Sequence, residues 1–195
     1  MKIRLSETKF YFLTCNNEMR KTHIFEEFKD YDLTEVNPVS INIGISKEQS
    51  GSTGFSRMMD IATINQDRSK PFQPFMLIED DIKKYREFPE EFEIPDNADL
   101  LYTGLSTWAM TDTEAGSPGT VCCSAVDDFP DLVRVKNMLS THGFMVCSVK
   151  RFPKVIKKIN EIKIIFFVLE SSNIKYERLP KILESDEEKT FKKYF

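Results

Sequence analysis

Unbroken apolar runs that stop abruptly at polar residues constrain this chain's fold more than any other feature. Lys9 to Cys15 reads KFYFLTC and runs into Asn16-Asn17, while Phe75 to Ile78 reads FMLI and runs into Glu79-Asp80-Asp81. Successive side chains of a strand point to opposite faces, so a strand with one wet face alternates apolar and polar residues. A continuous run leaves no face for water. Each stretch therefore reads as a strand buried on both faces, the usual mark of a parallel sheet.

The segments between these runs alternate with them. Met19, His23, Phe25 and Phe28 follow the first run in a helical pattern, and a short strand is expected around 35–43, interrupted by Pro38. Ser50-Gly51-Ser52-Thr53-Gly54 reads as a small-residue loop. Phe55, Met58, Met59, Ile61, Ala62 and Ile64 then form one face of a helix that Ser52 or Thr53 would cap. Residues 83–97 read as a charged surface excursion, and 106–131 as a long loop of the kind that often forms lids. Further strands are expected at 99–104, 143–149 and 164–169, with a helix over 152–162 before the last. Strands alternating with helices indicate an α/β fold, a single-domain α/β/α sandwich with a mostly parallel central sheet. A length of 195 residues suits one domain.

Composition narrows the function classes. A formal charge of −4 argues against general nucleic-acid binding, which wants a basic face. No apolar run approaches the roughly 18–20 residues of a transmembrane segment, and MKIRLSETK lacks the apolar core of a signal peptide. Cys15, Cys122, Cys123 and Cys147 fit neither a zinc site nor a redox pair, so reduced thiols in a cytoplasmic compartment are expected. The charged tail from Glu184 suits a whole protein or one domain of a longer polypeptide alike.

Ligands of open α/β sheets bind just outside the carboxyl ends of the strands, which is where Glu79-Asp80-Asp81 should lie. Three adjacent carboxylates repel one another, and more strongly where water is scarce. A hard divalent cation would remove that repulsion, and a diphosphate could complete its oxygen shell. The plain alternative is a charged turn after a strand. Arg57, at the expected helix start after a Gly-Ser loop, could bind phosphate bidentately or make a surface salt bridge. His142 could join a metal shell, contact phosphate, or be a hydrogen-bonded structural residue. Trp108 could stack on a sugar or pack in the core. An acid–base carboxylate could come from Asp112, Glu114, Asp127, Asp128 or Glu170.

The order of motifs resembles a glycosyltransferase of the GT-A fold, nearest to family 25, which includes lipooligosaccharide and procollagen galactosyltransferases. Related domains are encoded by large DNA viruses such as chloroviruses, which would imply a host-cytoplasmic, viral protein. FYFLTCNNEMR is similar to the family's nucleotide-contacting start and implicates Thr14, Asn16 and Arg20. GSTGFSRMMDIA resembles its Gly-Cys-x-x-Ser-His helix start, with Arg57 in place of His. FMLIEDD matches its strand plus Glu-Asp-Asp, and THGFMVCS its Thr-x-Gly-Tyr strand. The resemblance implies a UDP-sugar donor, a glycan or glycoprotein acceptor and Mn²⁺ or Mg²⁺. Asp81, helped by Glu79, would hold the metal, while Glu79, Asp80 and His142 would contact the donor. Asp112 and Glu170 stand as base candidates, because the family's downstream acidic residue has no clear match near 164–173. The nucleotide-sugar half would span 1–105 and the acceptor side 106–195. A sugar nucleotidyltransferase would want an N-terminal Gly-rich loop, and residues 1–20 contain no Gly. A nuclease would want its acidic-x-Lys element within a strand. A non-catalytic nucleotide-sugar-binding module remains the alternative that only activity excludes.

Overall fold

The computed structural model describes residues 1–37, 47–84, 86–103, 122–136, 142–148 and 166–169. Asp112, Glu170, Trp108 and the helix expected at 152–162 lie outside them. The main sheet is built from β2 (Lys9–Leu13), β3 (Asp32–Val36), β4 (Phe75–Glu79), β6 (Leu100–Tyr102), β7 (Cys122–Ala125), β8 (Leu132–Lys136), β9 (Gly143–Val146) and β10 (Phe166–Leu169). Its order is β3-β2-β4-β9-β6-β10-β8-β7. Within the run 9–15, Lys9–Leu13 forms β2, buried from Phe10 to Phe12, and FMLI forms the buried part of β4.

The sheet is mixed rather than mostly parallel. β3, β2 and β4 pair in parallel, as do β6 and β10. β9 runs against both of its neighbours, and β8 against both of its own. An apolar run reports burial on two faces but carries no direction, so a reversed strand in mid-sheet reads the same as a parallel one.

Two α-helices are described, and they pack on opposite faces. Helix α1 (Glu18–Glu27) starts at Asn17, whose side-chain oxygen accepts the N–H groups of Met19 and Arg20. It joins β2 to β3. Ile24 and Phe28 bury against Phe10, Phe12, Met76 and Ile78. Helix α2 (Lys47–Ile64) joins β3 to β4, and Met58, Met59 and Ala62 bury against Tyr11, Phe75 and Leu77. The chain moves one way across the sheet through α1 and the other way through α2. Right-handed crossovers then demand opposite faces. Each fully buried Phe contributes roughly 1.5–3 kcal/mol, so Phe10 and Phe12 alone fix which face of β2 meets α1.

Four local expectations are corrected. The long loop expected over 106–131 contains the strand β7 at its described end, paired with β8. The second strand begins at Asp32, ahead of 35–43. Residues 50–54 are not a loop, because α2 already starts at Lys47 and runs through them. The reason is packing: a Cβ on Gly54 would lie 2.7 and 2.8 Å from the Leu13 methyl groups, so glycine lets α2 close onto the end of β2. Tertiary contact overrides weak helix propensity there. Residues 83–97 are more than a surface excursion. β5 (Glu91–Glu93) pairs with β1 (Lys2–Arg4), and Phe88, Phe92 and Ile94 bury beside Ile3 and Leu5 on the α1 face. No helix among the described residues is long and apolar enough to cross a membrane.

Candidate functional site

β2 and β4 are parallel neighbours that end level, Leu13 opposite Glu79. The chain leaves β2 toward β3 on one side and leaves β4 toward β6 on the other. Adjacent strands whose connections diverge open a crevice at their carboxyl ends, the switch point at which α/β sheets bind ligands. Glu79-Asp80-Asp81 and Thr14–Asn17 face each other across that point.

Asp80 is the buried member of the triplet, 4% exposed. Its Oδ2 accepts the Cys15 N–H at 2.6 Å, and its Oδ1 accepts from Arg20 Nη1 at 3.2 Å. The same Arg20 nitrogen lies 3.4 Å from Asp81 Oδ2. Asp80 therefore fastens the loop after β2 to the turn after β4, and Arg20 spans two adjacent carboxylates. Burial works against the guanidinium's charge, yet Asp81, Cys15 and Asp80 outweigh it and hold its pKa above the ordinary value. Burial raises the Cys15 thiol pKa, Asp80 adds to that, and Arg20 opposes it.

The loop itself is shaped by its asparagines. Thr14 is buried, and its hydroxyl accepts the Asn16 N–H at 3.0 Å. Asn16 sits at φ 61°, a left-handed conformation that Asn tolerates better than most residues. Asn17 then caps α1 and so sets the position of Arg20.

His142 approaches from the other side, immediately before the antiparallel β9. Its carbonyl accepts the Glu79 N–H at 3.2 Å, and its Nδ1 lies 3.1 Å from Glu79 Oε2. Thr14, Asn16, Arg20, Glu79, Asp80, Asp81 and His142 thus gather around one crevice. Arg57 does not stand at a helix start. It lies exposed in the body of α2, one turn beyond Gly54. The first-turn N–H groups invoked for phosphate at Arg57 belong to residues near Lys47 instead. His23 is structural, its Nε2 2.8 Å from the Ile82 carbonyl.

Cys15 and Asn17 were not singled out by sequence reasoning. Asn17 carried a readable signal, an Asn directly before a helical pattern. Cys15 carried none, since it acts through its backbone N–H. Two clefts of about 220 and 440 Å³ flank the turn between β7 and β8, lined by residues such as Phe129 and Leu132, and no member of the crevice lines them.

Among the described residues no three His, Cys, Asp or Glu side chains converge on a metal position, and Asp80 already has a partner on each oxygen. Asp81, 3.4 Å from Arg20 Nη1, and Glu79, 3.1 Å from His142 Nδ1, are the carboxylates that could join a metal shell. One or two carboxylates, with water and phosphate supplying the rest, is how proteins commonly hold Mg²⁺. No protein-family model matches this chain, and a search of curated proteins finds no match either.

Proposed function

We propose that this chain is a divalent-metal-dependent glycosyltransferase, built on a GT-A-type sandwich, that moves a sugar from a UDP-sugar to a glycan or glycoprotein acceptor. One observation carries the reading: the acidic triplet and the Thr14–Arg20 segment meet at the switch point between β2 and β4. The resemblance of the same segments to the family's donor-binding motifs agrees with that placement.

Asp81 and Glu79 would hold Mn²⁺ or Mg²⁺, and the bound ion would neutralise the diphosphate as it departs. Arg20 supplies a second positive charge at the same crevice, and its planar fork suits phosphate oxygens. Asp80 holds the Cys15 N–H and Arg20 and so fixes the spacing of the two loops. The Asn16 turn sets the rim at which a base and ribose would lie. His142 orients the Glu79 carboxylate, with Asp112 and Glu170 kept as base candidates.

A screen of UDP-sugars with and without Mn²⁺, read by release of UDP, tests this. Slow metal-dependent hydrolysis of one donor is the expected result. Binding with no hydrolysis or transfer would replace the enzyme by a nucleotide-sugar-binding module, and no binding of any nucleotide sugar would refute the reading.

A further inference from the structure

We propose that Arg20 is a resident counter-ion for the acidic triplet, and that it must leave Asp81 when metal and nucleotide bind, so that these two ligands enter the crevice cooperatively. The inference rests on the donor-site reading above but makes a separate claim about the empty protein. One guanidinium nitrogen lies 3.2 Å from Asp80 and 3.4 Å from Asp81. Two carboxylates adjacent in sequence, at the end of a buried strand, thereby share one positive charge, which halves their net charge without any ion from solution.

The two halves of that bridge are not equivalent. Asp80 is buried, and its second oxygen is fixed by the Cys15 N–H. Asp81 is the more exposed of the two, with a fifth of its side chain in solvent against a twentieth for Asp80. The backbone of Arg20 is pinned, because its N–H is bonded to the Asn17 cap, while its side chain is 41% exposed. The guanidinium can therefore swing about a fixed Cα, and Asp81 is the carboxylate whose partner can change. A divalent cation at Asp81 would lie within a few ångströms of the guanidinium charge, and that repulsion opposes metal alone. A diphosphate offers the guanidinium two oxygens in its preferred fork geometry and draws it away. By linkage, whatever nucleotide does for the metal, the metal does equally for nucleotide.

The direct test is Mn²⁺ binding, followed by the electron paramagnetic resonance of the free ion, in the full chain and in Arg20→Met and Arg20→Gln. The wild type should bind Mn²⁺ weakly alone and at least tenfold more tightly with UDP. Both variants should bind Mn²⁺ alone roughly tenfold more tightly than wild type, since a like charge a few ångströms away is removed, and UDP should enhance them less. Unchanged or weaker Mn²⁺ binding in folded variants overturns the proposal, as does an absence of Mn²⁺ binding in all three proteins. A crystal structure of the wild type with Mn²⁺ and UDP needs no variant. Arg20 should contact the diphosphate there, and a bridge still joining it to Asp81 beside bound metal would also overturn the claim. If UDP fails to bind, the donor-site reading falls, while the variants' Mn²⁺ affinities still decide whether Arg20 is the counter-ion.

Discussion

Gly51 and Gly54 lie three residues apart in α2, yet replacing each by alanine should have opposite effects. A Cβ at Gly51 meets nothing within 4 Å, so Gly51→Ala only removes the backbone entropy cost of a helical glycine. That should stabilise the protein by roughly 0.5–1 kcal/mol, or about 1–4 °C in melting temperature for a chain of this size. Gly54→Ala gains the same helical term but places its Cβ 2.7 Å from one Leu13 methyl and 2.8 Å from the other. Overpacking of this kind costs about 1–3 kcal/mol, so after the helical gain the net effect should fall between neutral and about 2.5 kcal/mol destabilising. Leu13 leads directly into Thr14 and Cys15, and the strain should loosen the Cys15–Asp80 hydrogen bond. Urea unfolding of Gly51→Ala, Gly54→Ala, Leu13→Ala and the Leu13→Ala/Gly54→Ala pair checks the assignment. Gly54→Ala should be better tolerated once Leu13 is truncated, the non-additivity expected of residues in contact. A destabilising Gly51→Ala, or a Gly54→Ala cost that is the same in both backgrounds, would refute the placement of α2 from Lys47.

The two aspartates of the crevice should separate by assay. Asp80→Asn keeps only one carbonyl oxygen for the Cys15 N–H and Arg20, and should lower stability by roughly 1–3 kcal/mol in urea unfolding. Asp81→Asn, more exposed, should change stability by less than about 1 kcal/mol while abolishing metal-dependent nucleotide binding in calorimetry. Iodoacetamide labelling should distinguish the thiols. Burial, with Asp99 nearby, pushes the Cys147 thiol up to about 12, so it should resist labelling in the folded protein. Cys15 is exposed and should react, but its raised pKa shifts the rise in rate to higher pH than for a free cysteine.

How much of this was legible before the fold was known differs by element. β2 and β4 announced themselves because burial on two faces leaves an unbroken apolar run, and the triplet's place at a strand end followed. β1, β5, β7 and β8 were missed. The first two are three residues long, KIR and EFE, and each buries a single side chain against the main core. No periodicity can be read from one apolar residue between two charges. β8, LVRVK, pairs between β10 and the edge strand β7 and carries its own charges. The reversed β9 was legible as a strand but not in direction. In α2, Ser50–Gly54 reads locally as a loop and becomes helix because Gly54 fits against Leu13, a contact between segments forty residues apart. That contact also removed Arg57 from a helix start. Arg20 and Asn16 gained a structural basis instead, through hydrogen bonds from backbone to side chain that residue types alone do not disclose.

The central claim is that the crevice between β2 and β4 holds a nucleotide sugar with a divalent ion, and melting temperature with UDP-sugars, with and without Mn²⁺, tests it most directly. A ligand that binds only the folded state stabilises it by about 2.7 kcal/mol at one hundred times its dissociation constant. Melting temperature should rise by several degrees with donor plus Mn²⁺, less with either alone, and not at all for Asp81→Asn. No rise with any UDP-sugar and Mn²⁺, or the same rise in Asp81→Asn, would contradict the claim.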